Sequence, residues 1–165
     1  MLIGVISDTH DNLDAIRTAL DLFYQERVDT IVHAGDFVAP FALKLFVEQP
    51  VPLIAVLGNN DGERKGLSKL TPDLHKPPFE TEVGGRKLVL THEKERLTTD
   101  LTDDADLVVF GHTHEYELPS AGGPLWLNPG EAGGWLSGQQ TVALVKLDDM
   151  SARIVDIDTG ETVLS

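Results

Sequence analysis

No cysteine occurs anywhere in the 165 residues. That excludes disulfides and thiolate ligands together, so any metal would have to be held by His, Asp, Glu or Asn. Long apolar runs are missing too. None approaches the roughly eighteen residues needed to cross a bilayer, and no membrane span is expected. The N-terminus has neither a basic n-region nor a small-residue cleavage site, so no secretory signal is expected and a reduced, cytoplasmic setting is the default. Positive charge is scarce: 13 Lys and Arg stand against 27 Asp and Glu, leaving a formal net charge of −14. A field of that sign repels polyanions, which makes long nucleic acid a poor partner. The excess fits either a well-solvated surface or adaptation to concentrated salt, the latter suggested by runs such as Asp103-Asp104-Ala105-Asp106.

What is present suits one folded domain over residues 1–165, with 41% hydrophobic residues and no repeat, linker or low-complexity tract to divide it. Residues 2–7 (LIGVIS) read as a strand covered on both faces. Asn12 is a candidate N-cap for a helix whose Leu13, Ile16, Leu20 and Phe23 form one apolar stripe. A second strand at 30–33, a helix at 39–48 and a third strand at 52–57 complete a β-α-β-α-β pattern, which specifies a parallel sheet. Residues 62–78 are polar and proline-punctuated, a loop with at most a short helix at 65–70. The pair Gly84-Gly85 between 79–83 and 86–91 is a hairpin signal. Residues 107–110 form another buried strand, and 125–127, 141–147, 152–157 and 162–164 are expected to form an antiparallel meander. The fold class is α/β with mixed sheet content.

Polar clusters recur where the apolar runs end: Ser7-Asp8-Thr9-His10, Gly35-Asp36, Gly58-Asn59-Asn60-Asp61, His92 and Gly111-His112-Thr113-His114. Ligands of open α/β sheets bind at the carboxyl ends of strands, so five such clusters can converge on one place. Asp8 and His10 are two apart, as are His112 and His114, and in extended backbone such pairs face one side. Imidazole mixed with carboxylate and amide oxygen suits Mn, Fe, Zn, Co or Ni rather than a site for calcium alone. The candidates are too many for one ion with an open position and suit two ions sharing a carboxylate. The glycines ahead of the ligands, Gly35, Gly58 and Gly111, are expected to permit sharp backbone turns. Taken singly, Asp-x-His or Gly-Asp reads as a turn; the ordered set carries the inference. His33, inside a strand, reads as a hydrogen-bonded core residue, and His75, in the proline-rich stretch, as solvated. Gly122-Gly123 and Gly133-Gly134-Trp135 read as turns, and Trp126 or Trp135 could be core or mark a homo-oligomer contact.

From Met1 to about Gly130 the chain resembles the calcineurin-like metallophosphoesterases, and among them the small YfcE-like phosphodiesterases. The resemblance is carried by Ser-Asp-Thr-His at 7–10, His-Ala-Gly-Asp at 33–36, Gly-Asn-Asn-Asp at 58–61, Thr-His at 91–92, Gly-His-Thr-His at 111–114 and Asn-Pro-Gly at 128–130. It implies a four-layer α/β/β/α sandwich. It also implies that Asp8, His10 and His114 hold one divalent metal, that Asn59, His92 and His112 hold the other, and that Asp36 bridges them. Manganese is the favoured metal. A hydroxide bridging the pair would attack phosphorus in line with the leaving alkoxide, with Asn59 and His112 also orienting the phosphate and Asn60 beside the substrate. A small phosphate ester is the implied substrate, diester or monoester.

Three positions depart from the family pattern. Asn60 stands where many relatives have a histidine that helps the departing oxygen, and an amide cannot act as a general acid. Glu93-Lys94 replaces Gly-His, which would alter the groove beside the metals. Ala39 replaces the second aspartate of Gly-Asp-x-x-Asp. A different class, a protein-binding scaffold, is represented by a retromer subunit that shares the fold but has lost key active-site residues; the intact set here argues against it.

Overall fold

The computed structural model describes residues 1–119 and 122–165. Two sheets lie at its centre. The first has the order β11-β10-β9-β1-β2-β3-β4. Its parallel part is β1 (Leu2–Ile6), β2 (Thr30–His33), β3 (Leu53–Val56) and β4 (Leu74–His75). Its antiparallel part is β9 (Thr141–Lys146), β10 (Ser151–Asp156) and β11 (Thr162–Leu164), with β9 laid against β1. The second sheet, β5-β6-β7-β8, is the hairpin β5 (Phe79–Val83) and β6 (Arg86–Leu90) extended in parallel by β7 (Leu107–Val109) and β8 (Leu125–Leu127).

Local chemistry explains the elements that matter for the site. Helix α1 (Leu13–Gln25) starts where Asn12 Oδ1 accepts from Ala15 N at 3.2 Å, and it buries Ile16, Ala19, Leu20 and Phe23. Helix α2 (Pro40–Val47) opens on a proline, whose missing N–H is no loss at that position. Both helices pack on one face of the first sheet around Ile6, Ile31, Phe37 and Phe46. A second apolar layer fills the space between the sheets, from Ile3, Val5 and Val32 to Leu88, Leu90, Leu107 and Leu127. Alternation in β1 divides Ile6 from Ile3 and Val5, one face to each core.

Two expectations are corrected. Residues 125–127 do not join the antiparallel meander; as β8 they pair parallel with β7 in the other sheet. The segment 62–78 is not only loop and short helix: after α3 (Arg64–Leu67), β4 adds a two-residue edge strand to β3. Between β6 and β7 the chain forms a 3-10 turn at Lys94–Arg96 and the single turn α4 (Thr99–Thr102). Among the described residues no helix is long and apolar enough to cross a membrane.

Candidate metal centre

The loops leaving β1, β2, β3, β6 and β7 meet at one end of the two sheets, and they are bonded to one another through backbone. Asp8 N donates to Gly35 O (3.0 Å) and His10 N to Asp36 O (3.1 Å). Gly111 N donates to His92 O (3.0 Å), and Gly133 N to Asp8 O (3.0 Å). These loops are bent hard. Asp8, His10, Asp36, His112 and His114 all have φ between 41° and 72°, a region that costs a non-glycine residue about 1–3 kcal/mol unless its surroundings hold it there. Asp and His tolerate it better than most.

All seven side chains singled out from the sequence come together. His114 Nε2 is 3.4 Å from Asp8 Oδ1, and His10 Nε2 is 3.7 Å from that same oxygen. Asp36 Oδ2 is 3.6 Å from His10 Nε2 and 3.3 Å from His92 Nε2, so one carboxylate oxygen faces both halves of the cluster. Asn59 Oδ1 is 2.8 Å from His92 Nε2 and 2.9 Å from His112 Nδ1. The ligand atoms of Asp8, His10 and His114 lie within 4.8 Å of one another, and so do those of Asp8, Asp36 and His92. Two donors bound about 2.1 Å from one ion stand roughly 3.0–3.4 Å apart for bond angles near 90–110°. Most of the spacings fall at or just beyond that range. Asp8 Oδ1 and His10 Nε2 are buried without a hydrogen-bond partner among the described residues. Orphaned polar atoms of this kind are unfavourable unless something binds them, and a divalent cation fits the donor set.

Charge supports the same reading. Burial opposes ionisation of Asp36, but His92 and the backbone and side-chain N–H groups of Asn60 prevail and hold its carboxyl at about 2. His10 is raised above the ordinary imidazole value chiefly by its contact with Asp8, with Asp36 adding to it. His92 is raised as well, burial opposing and Asp36 outweighing it. The carboxylates thus draw positive charge into the centre, a demand that a cation answers as well as a proton. His92 Nδ1 lies 2.8 Å from Ala34 O, so it donates there and leaves Nε2 free to ligate.

Three residues that hold this arrangement lie outside the seven. Asp61 is buried and accepts from the backbone N–H of Gly58 (2.7 Å), Val38 (2.7 Å) and Asp36 (3.2 Å), tying the β2 and β3 loops together. Asn128 Nδ2 donates to Gly111 O (3.1 Å) and Thr113 Oγ1 (3.0 Å), steadying the Gly-His-Thr-His loop. Glu131 is buried, and its Oε1 faces His114 Nδ1 at 3.2 Å. The available signal was adjacency: Asp61 and Asn128 sit inside recognised motifs, and Glu131 follows one. The glycines need restating too. Gly35 has the positive φ expected (104°), but Gly58 and Gly111 do not. There a side chain would collide, with the Asp36 carboxylate at Gly58 and with Ser7 Oγ and Asp8 Oδ2 at Gly111.

The remaining candidates divide. His33 is buried, stacks on Phe37 (centroids 3.6 Å apart) and accepts from Gly35 N (3.1 Å), as a core residue should. His75 is not simply solvated; it is half-buried in β4 and stacks on Phe79 at 3.6 Å. Asn60 Nδ2 donates to Asp36 Oδ2 at 2.7 Å. Glu93 lines the groove beside the centre, whereas Lys94 turns away to lie over the Phe110 ring and pair with Glu117 (3.0 Å). Trp126 packs near Phe110 (6.3 Å), while Trp135 is 64% exposed and donates its indole N–H to His10 O at 3.1 Å.

Comparison with known proteins agrees with the geometry. The calcineurin-like phosphoesterase superfamily domain matches residues 1–150, and the chain belongs to that family. A phosphodiesterase of Methanocaldococcus jannaschii is 34% identical over 96% of this chain and its own full length. The solved structure of an archaeal phosphodiesterase superposes with a TM-score of 0.86 at 34% identity, covering 94% of this chain and 99% of that one. YfcE, a phosphoesterase from E. coli, gives 0.75 at 22% identity, over 99% and 97% of the two chains. Vps29 of Entamoeba histolytica, solved with zinc, gives 0.72 at 21%, over 100% and 97%. The last two likenesses speak for the fold alone.

Proposed function

We propose that this chain, taken as one domain through Ser165, is a phosphodiesterase that works with two divalent cations, manganese by preference. In this reading Asp8, His10 and His114 hold one cation, Asn59, His92 and His112 hold the other, and Asp36 spans both. The observation that carries it is the Asp36 carboxylate oxygen facing His10 and His92 at once, beside the orphaned Asp8 Oδ1 and His10 Nε2. When bound, such a pair polarises phosphoryl oxygens and supplies hydroxide near neutral pH. The protein's part is position. Asn59 and His112 stand at the open side, where they can orient a phosphate oxygen. Asn60, already joined to Asp36, keeps that carboxylate turned inward and borders the substrate. It cannot protonate a leaving group, which favours esters whose alkoxide or phenoxide departs readily.

Vps29-like scaffolding is the second reading, favoured by the shared fold. Against it stand a full donor set and the strained loops that present it, which a scaffold has no need to keep. The deciding experiment measures bound metal and the hydrolysis of bis(p-nitrophenyl) phosphate and p-nitrophenyl phosphate by manganese-loaded protein, beside His92→Ala and Asp36→Asn. The expected result is two metals per chain, diester turnover, and loss of both in the variants. Full activity in the variants would sink the two-metal assignment. Two bound metals without turnover of either ester would favour the scaffold. Faster turnover of the monoester would move the assignment to a phosphomonoesterase.

A further inference from the structure

Beside His92 and Asn59 opens a cavity of about 150 Å³ whose wall carries Arg64, Lys76 and Arg96. In a chain with only 13 basic residues and a net charge of −14, three cationic side chains around one small hollow are not what an even scatter over the surface gives. Only Glu93 opposes them there. Both arginines are anchored, and all three cations have donors to offer. Arg64 Nε donates to Asp61 O at 3.2 Å, which anchors the guanidinium to the loop that carries Asn59. Arg96 is held through Nε by Glu93. The terminal nitrogens of both arginines make no hydrogen bond within the protein, and Lys76 forms no ion pair, among the described residues.

Planar guanidinium forks beside an ammonium suit a tetrahedral oxyanion with several acceptor oxygens. The size of the hollow narrows the choice. Pockets that enclose drug-sized ligands run to roughly 300–1,000 Å³, so this hollow is of a size to seat a phosphate on a short linker. It also shares His92 and Asn59 with the metal centre, so a group bound here would be part of a molecule reacting there.

We propose that the substrate carries a second phosphate group, bound by Arg64, Lys76 and Arg96, on a short arm of the ester that is hydrolysed at the metal centre. This rests on the phosphodiesterase reading above and narrows it to small diesters bearing a terminal phosphate monoester.

The test uses three p-nitrophenyl phosphodiesters that differ only in the second arm: 2-(phosphonooxy)ethyl (the phosphoethyl ester), 2-methoxyethyl and 2-carboxyethyl. With manganese-loaded protein, kcat/KM for the phosphoethyl ester should exceed that for the methoxyethyl ester by about tenfold or more, the yield of one or two charge-assisted contacts. Lys76→Gln and Arg96→Gln should each pull that ratio toward one. Lys44→Gln, which removes a positive charge outside the pocket, should leave it intact. A wild-type ratio near one, a ratio unchanged in the pocket variants, or a carboxyethyl ester favoured over the phosphoethyl ester would each overturn the proposal. If none of the three is hydrolysed, the phosphodiesterase reading fails on its own account. Calorimetric binding of the same esters to metal-free protein then judges the pocket: the phosphoethyl ester must bind about tenfold more tightly than the methoxyethyl ester, and equal affinity overturns the proposal.

Discussion

Replacing Glu131 by glutamine keeps the shape of a buried side chain and removes its charge, and the structure says what should follow. Oε1 accepts from Trp135 N (2.8 Å) and Leu136 N (3.1 Å). Oε2 accepts from Leu136 N (3.1 Å), Ser137 N (2.8 Å) and Ser137 Oγ (2.8 Å). An amide offers one oxygen and one NH2. Kept as acceptor toward Trp135, it turns donors toward the Ser137 N–H, and a half-buried amide of the loop is left to water. Hydrogen bonds to a charged group contribute about 1.5–3 kcal/mol, so roughly that much should be lost. At about 2–4 °C per kcal/mol for a chain of this length, the melting temperature should fall by roughly 3–12 °C. His114 should suffer separately. Its Nδ1 loses the carboxylate that faces it 3.2 Å away, and loss of such a partner lowers metal affinity about 10–100-fold at comparable sites. Burial opposes the charge of Glu131, but the Ser137 amide and hydroxyl, the Leu136 amide and His114 hold its pKa below the usual glutamate value. Its stabilisation is therefore complete above the unfolded pKa of 4.5 and fades as pH falls through the lower folded value, a dependence the variant should lack. Melts of metal-free protein and calorimetric titration with Mn²⁺ read the two effects independently. Ser137→Ala is the control, expected to melt slightly earlier and bind metal normally. A glutamine variant that melts and binds like the wild type would refute the reasoning; a lowered melt with unchanged affinity would confine Glu131 to the loop.

Other outcomes follow from neighbouring contacts. Asp61→Ala leaves three amides, two of them buried, without an acceptor and should destabilise the chain by roughly 2–5 kcal/mol, read in urea melts; a loss under 1 kcal/mol would mean water takes the carboxylate's place. Gly58→Ala drives a methyl into the Asp36 carboxylate, so it should weaken Mn²⁺ binding and lower stability by about 1–3 kcal/mol, and wild-type affinity would count against the close approach. The Lys87 amide, with Arg86 assisting, holds Asp106 below 3.8, so its contribution is present above that value and lost as pH falls beneath it. Asp106→Asn should flatten that acid limb, and an identical limb in both proteins would contradict it. Relief of self-repulsion at −14 predicts a melting temperature that rises with KCl. A rise ending by about 0.3 M is screening alone; one that continues into the molar range marks adaptation to salt, and none at all contradicts both.

The sequence made the first sheet easy to read where two features coincided. Apolar runs such as Leu2–Ile6 are buried on both faces, and the stripe in α1 leaves little freedom in which side faces them. It was less informative where an element is too short to carry a period. Leu125–Leu127 states that a strand exists and not which neighbour it takes; its parallel pairing with β7 is a tertiary choice that three residues cannot encode. Leu74–His75 is a strand only by virtue of backbone bonds to β3, within a segment whose prolines argue for loop. Thr99–Thr102 is a single turn and carries no pattern at all.

The centre itself divides along a physical line. Candidate donors such as Asp36 and His92 were legible because metal chemistry needs particular atoms and strand ends supply a common place for them. What holds those donors was not, because Asp61 and Glu131 act on backbone N–H groups, and which amides turn inward depends on the path of the loops. Gly58 and Gly111 serve by their lack of a side chain rather than by turning the backbone: the left-handed bends are made by Asp8, Asp36, His112 and His114 themselves, and the two glycines clear the space those bends require. Strain is thus concentrated in the proposed ligands and restrained by buried carboxylates one step behind them. A substitution at Asp61 or Glu131 should therefore alter the metal centre without removing a single donor from it.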